Sequence, residues 1–443
     1  MTVASQPPSR RASTPSPVRT VRLDWPDRPQ LPPPPKVSPF SPVLSLPSQG
    51  LAPVQGRVRL LHGDALAVAD RLLLEGRAAT FDLLHLDPPF GSGADFERLR
   101  DLRVGERTVA LALPAFGDTD GGDLAGYLDA LFPLLHRCRE LLSPHGSFWL
   151  HLDFRRGPHA RLLLDEIFGA DHLVNEIIWA YGLGGSSPKR FQRKHDVLYV
   201  YARDVGQHWF RPGQEAATSS MLRGQPKGAT AVWQTADRDD AATLVRDWPD
   251  PVIEKTLSNR DPERTGYPTQ KPLAIAARIV AASVPPGGQV LDLMSGSGTL
   301  GIAALRLGHH ATLGDRSPVA LDVSRGRAHA LGAAVQLDTL SAMPFLKPLT
   351  TVPAQLAGTQ ACLLPFALPP GPLEVEGADG SDLLGAWGVA VQESEGLRAV
   401  AWWDAAAQRT RGDVQRSLPV TVAAGLVWVG IDVFGRGWQA PLA

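Results

Sequence analysis

Two short stretches of this 443-residue chain carry residue types that can do chemistry together. The first is Leu86-Asp87-Pro88-Pro89-Phe90. Asp87 can accept a hydrogen bond from an exocyclic amine, two prolines fix φ and free carbonyls as further acceptors, and Phe90 offers a face for stacking. That set suits a planar, amino-bearing base taken out of its stack. Asp-Pro-Pro is also an ordinary turn at the end of a strand, so this stretch alone leaves the two readings level. The second stretch is Val290-Leu291-Asp292-Leu293-Met294-Ser295-Gly296-Ser297-Gly298-Thr299. Gly296, Gly298 and Gly301 spell G-x-G-x-x-G, and Asp315 follows about 20 residues on, which formally matches a dinucleotide-binding fingerprint. Asp292, ahead of the glycines, would repel a pyrophosphate but suits an ammonium group. No lysine follows the glycines as a P-loop requires.

Both stretches need strand ends to hold them, and the hydrophobic pattern provides these. Apolar runs at Val58–Leu61, Phe81–Leu86, Ser147–Leu152, Glu176–Ala180, Val197–Tyr201, Gln289–Leu293 and Ala311–Leu313 read as strands. Helical periods at Ala65–Glu75, Asp123–Leu142, Pro158–Phe168, Lys271–Ser283, Thr299–Leu307 and Pro318–Leu331 alternate with them. This is the signature of βαβ units and a mostly parallel sheet, which puts Asp87 and Asp292 at the carboxyl edge where such sheets bind ligands.

Composition sets the boundaries. Lys plus Arg number 44 against 45 Asp plus Glu, a formal charge of -1, so a nucleic-acid-binding surface has to be local. Length predicts roughly three folding units. Residues 1–55, with four consecutive prolines from Pro32 to Pro35, are expected to be a disordered arm. Residues 56–340 form the main domain, with a loop-rich segment at about 182–265 inserted in it. A linker at 341–372 and a small, separate β-rich C-terminal module at 373–443 complete the expected layout. No apolar run is long enough to span a membrane, and Cys138 and Cys362 cannot make a disulfide framework or a cysteine-based zinc site. A cytoplasmic location and no metal are the corresponding expectations, with the twelve histidines, including His309 and His310, read as surface or structural residues.

Asp87-Pro88-Pro89-Phe90, Thr269-Gln270-Lys271-Pro272 and Asp292 to Thr299, in that order, resemble an amino-methylating DNA methyltransferase of the circularly permuted beta group. His62-Gly63-Asp64, Gly146 to Asp153, Asn175 to Trp179 and Arg193 to Asp196 are similar to further segments of that family, and the likeness covers about 56–331. The resemblance implies a doubly wound, Rossmann-like α/β sheet with an inserted recognition segment. It implies S-adenosylmethionine as cofactor, double-stranded DNA as partner, and base flipping with direct transfer to adenine N6 at a specific sequence. Asp87, Pro88, Pro89 and Phe90 would hold the target base. Asp292, Gly296, Gly298 and Thr299 would wrap the methionine part of the cofactor, Asp315 its ribose hydroxyls and Asp64 its adenine. Thr269 and Lys271 would steady the carboxylate end. Lys189, Arg190, Arg193 and Lys194, within a basic and aromatic stretch from Gly182 to Arg211, would meet phosphates.

The chain departs from the family pattern at Leu293-Met294, where proline and an aromatic are usual, and around Gly314 to Pro318. Cytosine N4 is the alternative target. A catalytically inactive DNA-binding relative and an NAD-dependent oxidoreductase are readings of other classes, although the second leaves Asp87 to Phe90 and Thr269 to Pro272 unexplained. A separate restriction endonuclease and a second copy of the chain are further partners the resemblance admits.

Overall fold

Leu60 and Leu61, Leu83 and Leu84, and Val290 and Leu291 are adjacent pairs with no exposed surface at either member. Successive residues of a strand face opposite sides, so these strands need helices over both faces of their sheet. The computed structural model meets that requirement. It describes residues 22–48 apart from 32 and 34–36, 54–118 apart from 92 and 105–106, 123–180, 188–211 apart from 190, 192 and 194, residue 257, three short strands within 212–260, 261–340, and the C-terminal strands with short flanks between 346 and 442.

In chain order, β1 (Ser41–Leu46), β2 (Arg57–His62), α1 (Ala65–Leu74) and β3 (Phe81–Leu86) lead to a hairpin of β4 (Asp95–Val104) and β5 (Arg107–Gly117). Then come α2 (Leu124–Leu141), β6 (Leu142–Asp153), α3 (Gly157–Phe168), β7 (Leu173–Ala180), β8 (His195–Ala202), and short strands β9 (Gln214–Ala216), β10 (Pro226–Gly228) and β11 (Val232–Gln234). The second half holds α4 (Leu273–Ser283), β12 (Gln289–Asp292), α5 (Thr299–Arg306), β13 (His310–Asp315), α6 (Pro318–Ala330) and β14 (Ala334–Thr339). Beyond it lie β15 (Leu346–Pro348), β16 (Ala354–Ala357), β17 (Gln360–Leu363), β18 (Leu384–Glu393), β19 (Gly396–Asp404), β20 (Ser417–Pro419), β21 (Leu426–Asp432) and β22 (Gly437–Pro441).

The central strands run β8-β6-β3-β12-β13-β2-β14, parallel except for β8. Helices α1, α2 and α3 pack on one face through Val68, Leu135 and Leu163, while α4, α5 and α6 pack on the other through Ile279, Ala304 and Leu321. Each buried leucine of these layers contributes about 1.5–3 kcal/mol by leaving water. Local signals agree with the layout: Asp64 caps α1, its Oδ1 accepting from the Leu66 and Ala67 amides at 3.0 and 3.3 Å, and Asp123 caps α2 in the same way through Gly126 at 2.9 Å.

Three expectations about the layout need correction. The proline-rich arm is not uniformly disordered, because Ser41–Leu46 forms β1, with Leu44 and Leu46 each 1% exposed, and Trp25 donates to Asp129 at 2.8 Å on α2. Proline interrupts this segment without stopping Val43, Leu44 and Leu46 from finding an apolar partner. The C-terminal strands are not a separate module. β1 pairs antiparallel with β14 on one side and parallel with β19 on the other, so the sheet continues through β19, β18, β21, β22 and β15. Trp402 and Val429 also join the same apolar cluster as α5 and α6. Finally, the stretch expected as a linker contains β15, β16 and β17.

Candidate active site

Register places the candidate residues on one edge. His85 pairs with Asp292, Asp315 with His62, and Leu86 with Leu150, so the segments that begin at Asp87, Leu293, Gly63 and Asp315 all emerge at the carboxyl end of the parallel sheet. There they border a single cavity of about 490 Å³, and Asp64, Asp87 to Phe90, Thr269, Lys271, Asp292, Gly296, Thr299 and Asp315 all lie on its wall. Gly298 sits just behind it as the N-cap of α5.

Asp87 is the most constrained group in the clamp. One of its oxygens, Oδ2, accepts an ion-paired hydrogen bond from Lys271 Nζ, while Oδ1 is buried and has no hydrogen-bond partner. The Asp87 side chain is 20% exposed. Burial pushes its pKa up, but Lys271, His151 and His85 together more than offset this and hold it below the ordinary carboxylate value. Phe90 lies beside it with Lys271 Nζ 5.4 Å from the ring centre, and its carbonyl accepts from Arg156 Nε at 3.3 Å. His85 and His151, additional to the expected site residues, also lie on the cavity wall. His151 hydrogen-bonds Asp196 at 3.1 Å, and burial followed by the charge of Lys271 lowers its pKa. His85 stands 3.8 Å from Asp292 with its Nδ1 buried and otherwise unpaired.

The segment bearing Lys271 is pinned at several points. Gln270 accepts from the Thr265 amide and hydroxyl at 2.9 and 2.8 Å and donates to the Glu263 carbonyl at 2.8 Å, and Glu263 Oε1 in turn takes the Leu273 amide at 2.7 Å. Thr269 has a φ of 54°, a left-handed conformation that a β-branched residue adopts only when its surroundings force it. The resemblance assigns Lys271 to the cofactor's carboxylate, whereas the structure brings it against Asp87.

Two carboxylates, Asp292 and Asp315, flank the glycine loop. Gly296 and Gly298 have φ of 49° and 73°. Asp292 is buried and accepts the Met294 amide at 3.0 Å; Asp315 accepts the Gly296 and Ser317 amides, each at 2.8 Å. Burial, with Asp292 nearby, lifts the Asp315 pKa to about 6 despite those two amides. Ser295 Oγ is buried without a partner on the cavity wall. Two residues of α6, unsuspected from sequence, hold the loop. Ser324 donates to the Gly296 carbonyl at 3.2 Å, and Arg327 donates to the Ser297 carbonyl at 2.8 Å and to Thr299 Oγ1 at 3.0 Å. Burial lowers Arg327 to about 10.

An aromatic wall closes the remaining side. Phe96 stacks on Phe116 at 4.8 Å and Phe116 on Tyr267 at 6.4 Å, bringing the β4–β5 hairpin over the loop. The hairpin reaches the Tyr267 segment through the Leu99 amide, which donates to the Gly266 carbonyl at 3.0 Å.

The basic stretch is divided. Lys189, Phe191 and Arg193 are exposed beside the catalytic edge, Phe191 at 97%, and Arg193 lies 4.3 Å from the centre of the Phe154 ring. Arg190 and Lys194 lie outside the described residues. β8 then carries the chain to the opposite edge, where Arg203 donates to the Glu140 and Leu142 carbonyls and Trp209 donates its amide to His145. Among the described residues, Arg203 and Arg211 therefore lie at the opposite end of β8 from Arg193. Among the described residues there is no cluster suited to a metal and no helix long and apolar enough to cross a membrane.

Comparisons with known proteins bear on this geometry. A family profile described as DNA methylase, covering N6 and N4 methyltransferases, matches residues 81–325. The type II methyltransferase M.ScaI of Streptomyces caespitosus is 24% identical over 291 residues, 62% of this chain and 82% of that protein. The DNA adenine methyltransferase YhdJ of Escherichia coli K12 is 25% identical over 259 residues, 56% of this chain and 75% of that protein. Among solved structures, the M1.HpyAVI–SAM complex is similar over 61% of this chain and 98% of its own, with a TM-score of 0.39 and 17% identity. The cytosine-N4-specific PvuII DNA methyltransferase covers 63% and 90%, with a TM-score of 0.37 and 13% identity. The matched stretch runs from the strand before Asp87 to the helix that holds the glycine loop, more than half of the chain, and the protein accordingly belongs to the N6/N4 DNA methylase family.

Proposed function

We propose that this DNA methyltransferase transfers a methyl group from S-adenosylmethionine to adenine N6 at a specific DNA sequence. The observation that carries the reading is the unpartnered Asp87 Oδ1, in the same cavity as Phe90 and the Asp292–Asp315 loop. The loop suits the donor: Asp292 fits an ammonium, Asp315 fits a vicinal diol, and Ser295 Oγ is a polar atom in want of a partner. When bound, S-adenosylmethionine supplies an activated methyl on a sulfonium centre.

The chain's own residues account for the rest. An exocyclic amine is a poor nucleophile because its lone pair is delocalised into the ring. Asp87 Oδ1, accepting one N–H, favours localisation of that pair and fixes its direction, while Phe90 holds the plane of the base. The proton lost from nitrogen after transfer passes to Asp87 directly or through water. Arg193, Lys189 and Phe191 stand on the edge from which a duplex would approach, cations for phosphates beside a ring able to enter a stack. Adenine is preferred over cytosine because the acid-first form of the clamp resembles adenine methylases.

The test is methyl transfer from labelled S-adenosylmethionine to unmethylated DNA, with mass spectrometry of the nucleosides. Wild type should yield N6-methyladenine and Asp87→Ala none, with its cofactor affinity retained. N4-methylcytosine would move the target base, and tight cofactor binding without product from any DNA would overturn the reading.

A further inference from the structure

We infer that Lys271 is a positioning residue for the methyl-accepting amine: it binds one oxygen of Asp87 and crosses the Phe90 ring, so that the other oxygen of Asp87 is aimed at the base. This inference rests on the proposed methyl transfer and goes beyond it, since the resemblance assigns Lys271 to the cofactor.

The geometry is asymmetric in an informative way. A carboxylate has two equivalent oxygens and turns about its Cβ–Cγ bond, so an acid alone in a cavity offers either oxygen in many directions. Here Oδ2 is tied to Lys271 Nζ and Oδ1 is left buried with its lone pairs unused. The same ammonium lies 5.4 Å from the centre of the Phe90 ring. One cation thus fixes both halves of the clamp, the acceptor for the amine and the platform for the base plane. Lysine is flexible in general, yet this one is delivered by a braced segment. Gln270 closes the turn on Thr265 and Glu263, Thr269 takes the left-handed conformation, and Glu263 caps the following helix. The bracing costs backbone strain at Thr269, which a merely solvated lysine would not require.

Charge matters as well as direction. The groups that face Asp87 are Lys271 from the segment before α4, His85 on β3, His151 on β6, and Tyr127 on α2, with Asp292 beyond His85. His151 is held below its ordinary pKa and is neutral near pH 7, and Tyr127 is pushed up and stays protonated. Lys271 is the largest of the charges that hold Asp87 ionised, and only the ionised form can accept the amine N–H with either oxygen.

Lys271→Met and Lys271→Arg should be compared with wild type in steady-state methylation between pH 5 and 9, with His151→Asn as a control for the other titrating group on that edge. For Lys271→Met, kcat should fall at least about 100-fold at pH 7, the scale of losing one preorganised electrostatic partner. The acid limb of kcat/KM should move up by about one pH unit or more, as expected when a carboxylate loses an adjacent cation. KM for S-adenosylmethionine should stay within about threefold, and Lys271→Arg should restore most of the rate and the wild-type limb. His151→Asn, which removes a smaller contribution, should move the limb by less than Lys271→Met does. In an Asp87→Asn background, Lys271→Met should add less than a further threefold loss, because its partner is gone; this comparison still reads the role if the single variant is too slow to profile. A large rise in KM for the cofactor with an unmoved pH profile would put Lys271 on the cofactor and overturn the inference, as would additive losses in the double variant. A wild-type protein that binds the cofactor but methylates no DNA would instead remove the underlying reading.

Discussion

Gly298→Ala tests the architecture of the cofactor loop with a single methyl group. Gly298 caps α5 with φ 73° and ψ 19°, a conformation that costs alanine about 1–2 kcal/mol. The new Cβ would also lie 2.5 Å from Ser324 Oγ, 2.9 Å from its Cβ and 3.2 Å from its Cα. The hydroxyl can rotate away only by giving up its bond to the Gly296 carbonyl, and the Cβ and Cα cannot rotate at all, so overpacking adds about 1–3 kcal/mol. The total expected from urea denaturation is a loss of about 2–5 kcal/mol. Displacement of the loop should also weaken S-adenosylmethionine binding at least about tenfold, each factor of ten being about 1.4 kcal/mol. A double-mutant cycle separates the causes. Ser324→Gly removes the hydroxyl and Cβ, so it should recover the overpacking part in combination with Gly298→Ala but leave the conformational part, a coupling of about 1–3 kcal/mol. A Gly298→Ala protein that loses less than about 1 kcal/mol, or a cycle whose two effects simply add, would refute this account of how α6 shapes the loop.

Other consequences are as direct. Ionisation of the partly buried Asp315 is unfavourable in the fold, so its stabilising contribution is fully present below the unfolded carboxylate pKa of 3.8 and is lost as pH rises through about 6. Cofactor affinity should run the opposite way, since a diol donates to the carboxylate: calorimetry should show binding about tenfold weaker at pH 5 than at pH 7.5, and a flat profile would exclude the assignment. Arg327→Met deletes the donors to Ser297 and Thr299, which at about 0.5–1.5 kcal/mol per bond should weaken cofactor binding by roughly tenfold with little change in kcat, measured by titration and initial rates. Leu44→Pro removes a ladder donor from a strand paired on both sides, and a loss of about 1–3 kcal/mol together with faster proteolysis of the C-terminal strands is expected.

The parts of the molecule that were legible share a cause. Phe81–Leu86 and Gln289–Asp292 are short runs with adjacent buried apolar residues, followed within four residues by prolines or glycines, so strand, strand end and turn are announced together. The hairpin Asp95–Gly117 escaped notice because Arg98 and Arg100 occupy positions on the same side as Phe96, and a charged pair there breaks the alternation that marks a strand. Arg98 is buried all the same, 3.8 Å from Asp322, a partner more than two hundred residues away that no local pattern reveals. Arg327 and Ser324 are obscure for the same reason: on their own helix they look like ordinary polar residues, and only the fold of α6 against the loop gives them a task. The basic stretch misled in the opposite sense. Charge is clustered in sequence, but the eight residues of β8 at about 3.3 Å each separate Arg193 from Arg203, which puts them at opposite ends of the strand.

Strand β1 has a consequence for how the chain reaches this state. Its hydrogen-bonding partners are Val335 to Thr339 and Leu397 to Arg398, roughly three hundred residues later in synthesis. At a typical elongation rate of about 5–20 residues per second, an apolar segment made at the outset waits tens of seconds before either neighbour exists. Zippering of β1 between β14 and β19 is then a high-separation event that joins parts of the chain made far apart in time, and it should appear as the slow step of refolding.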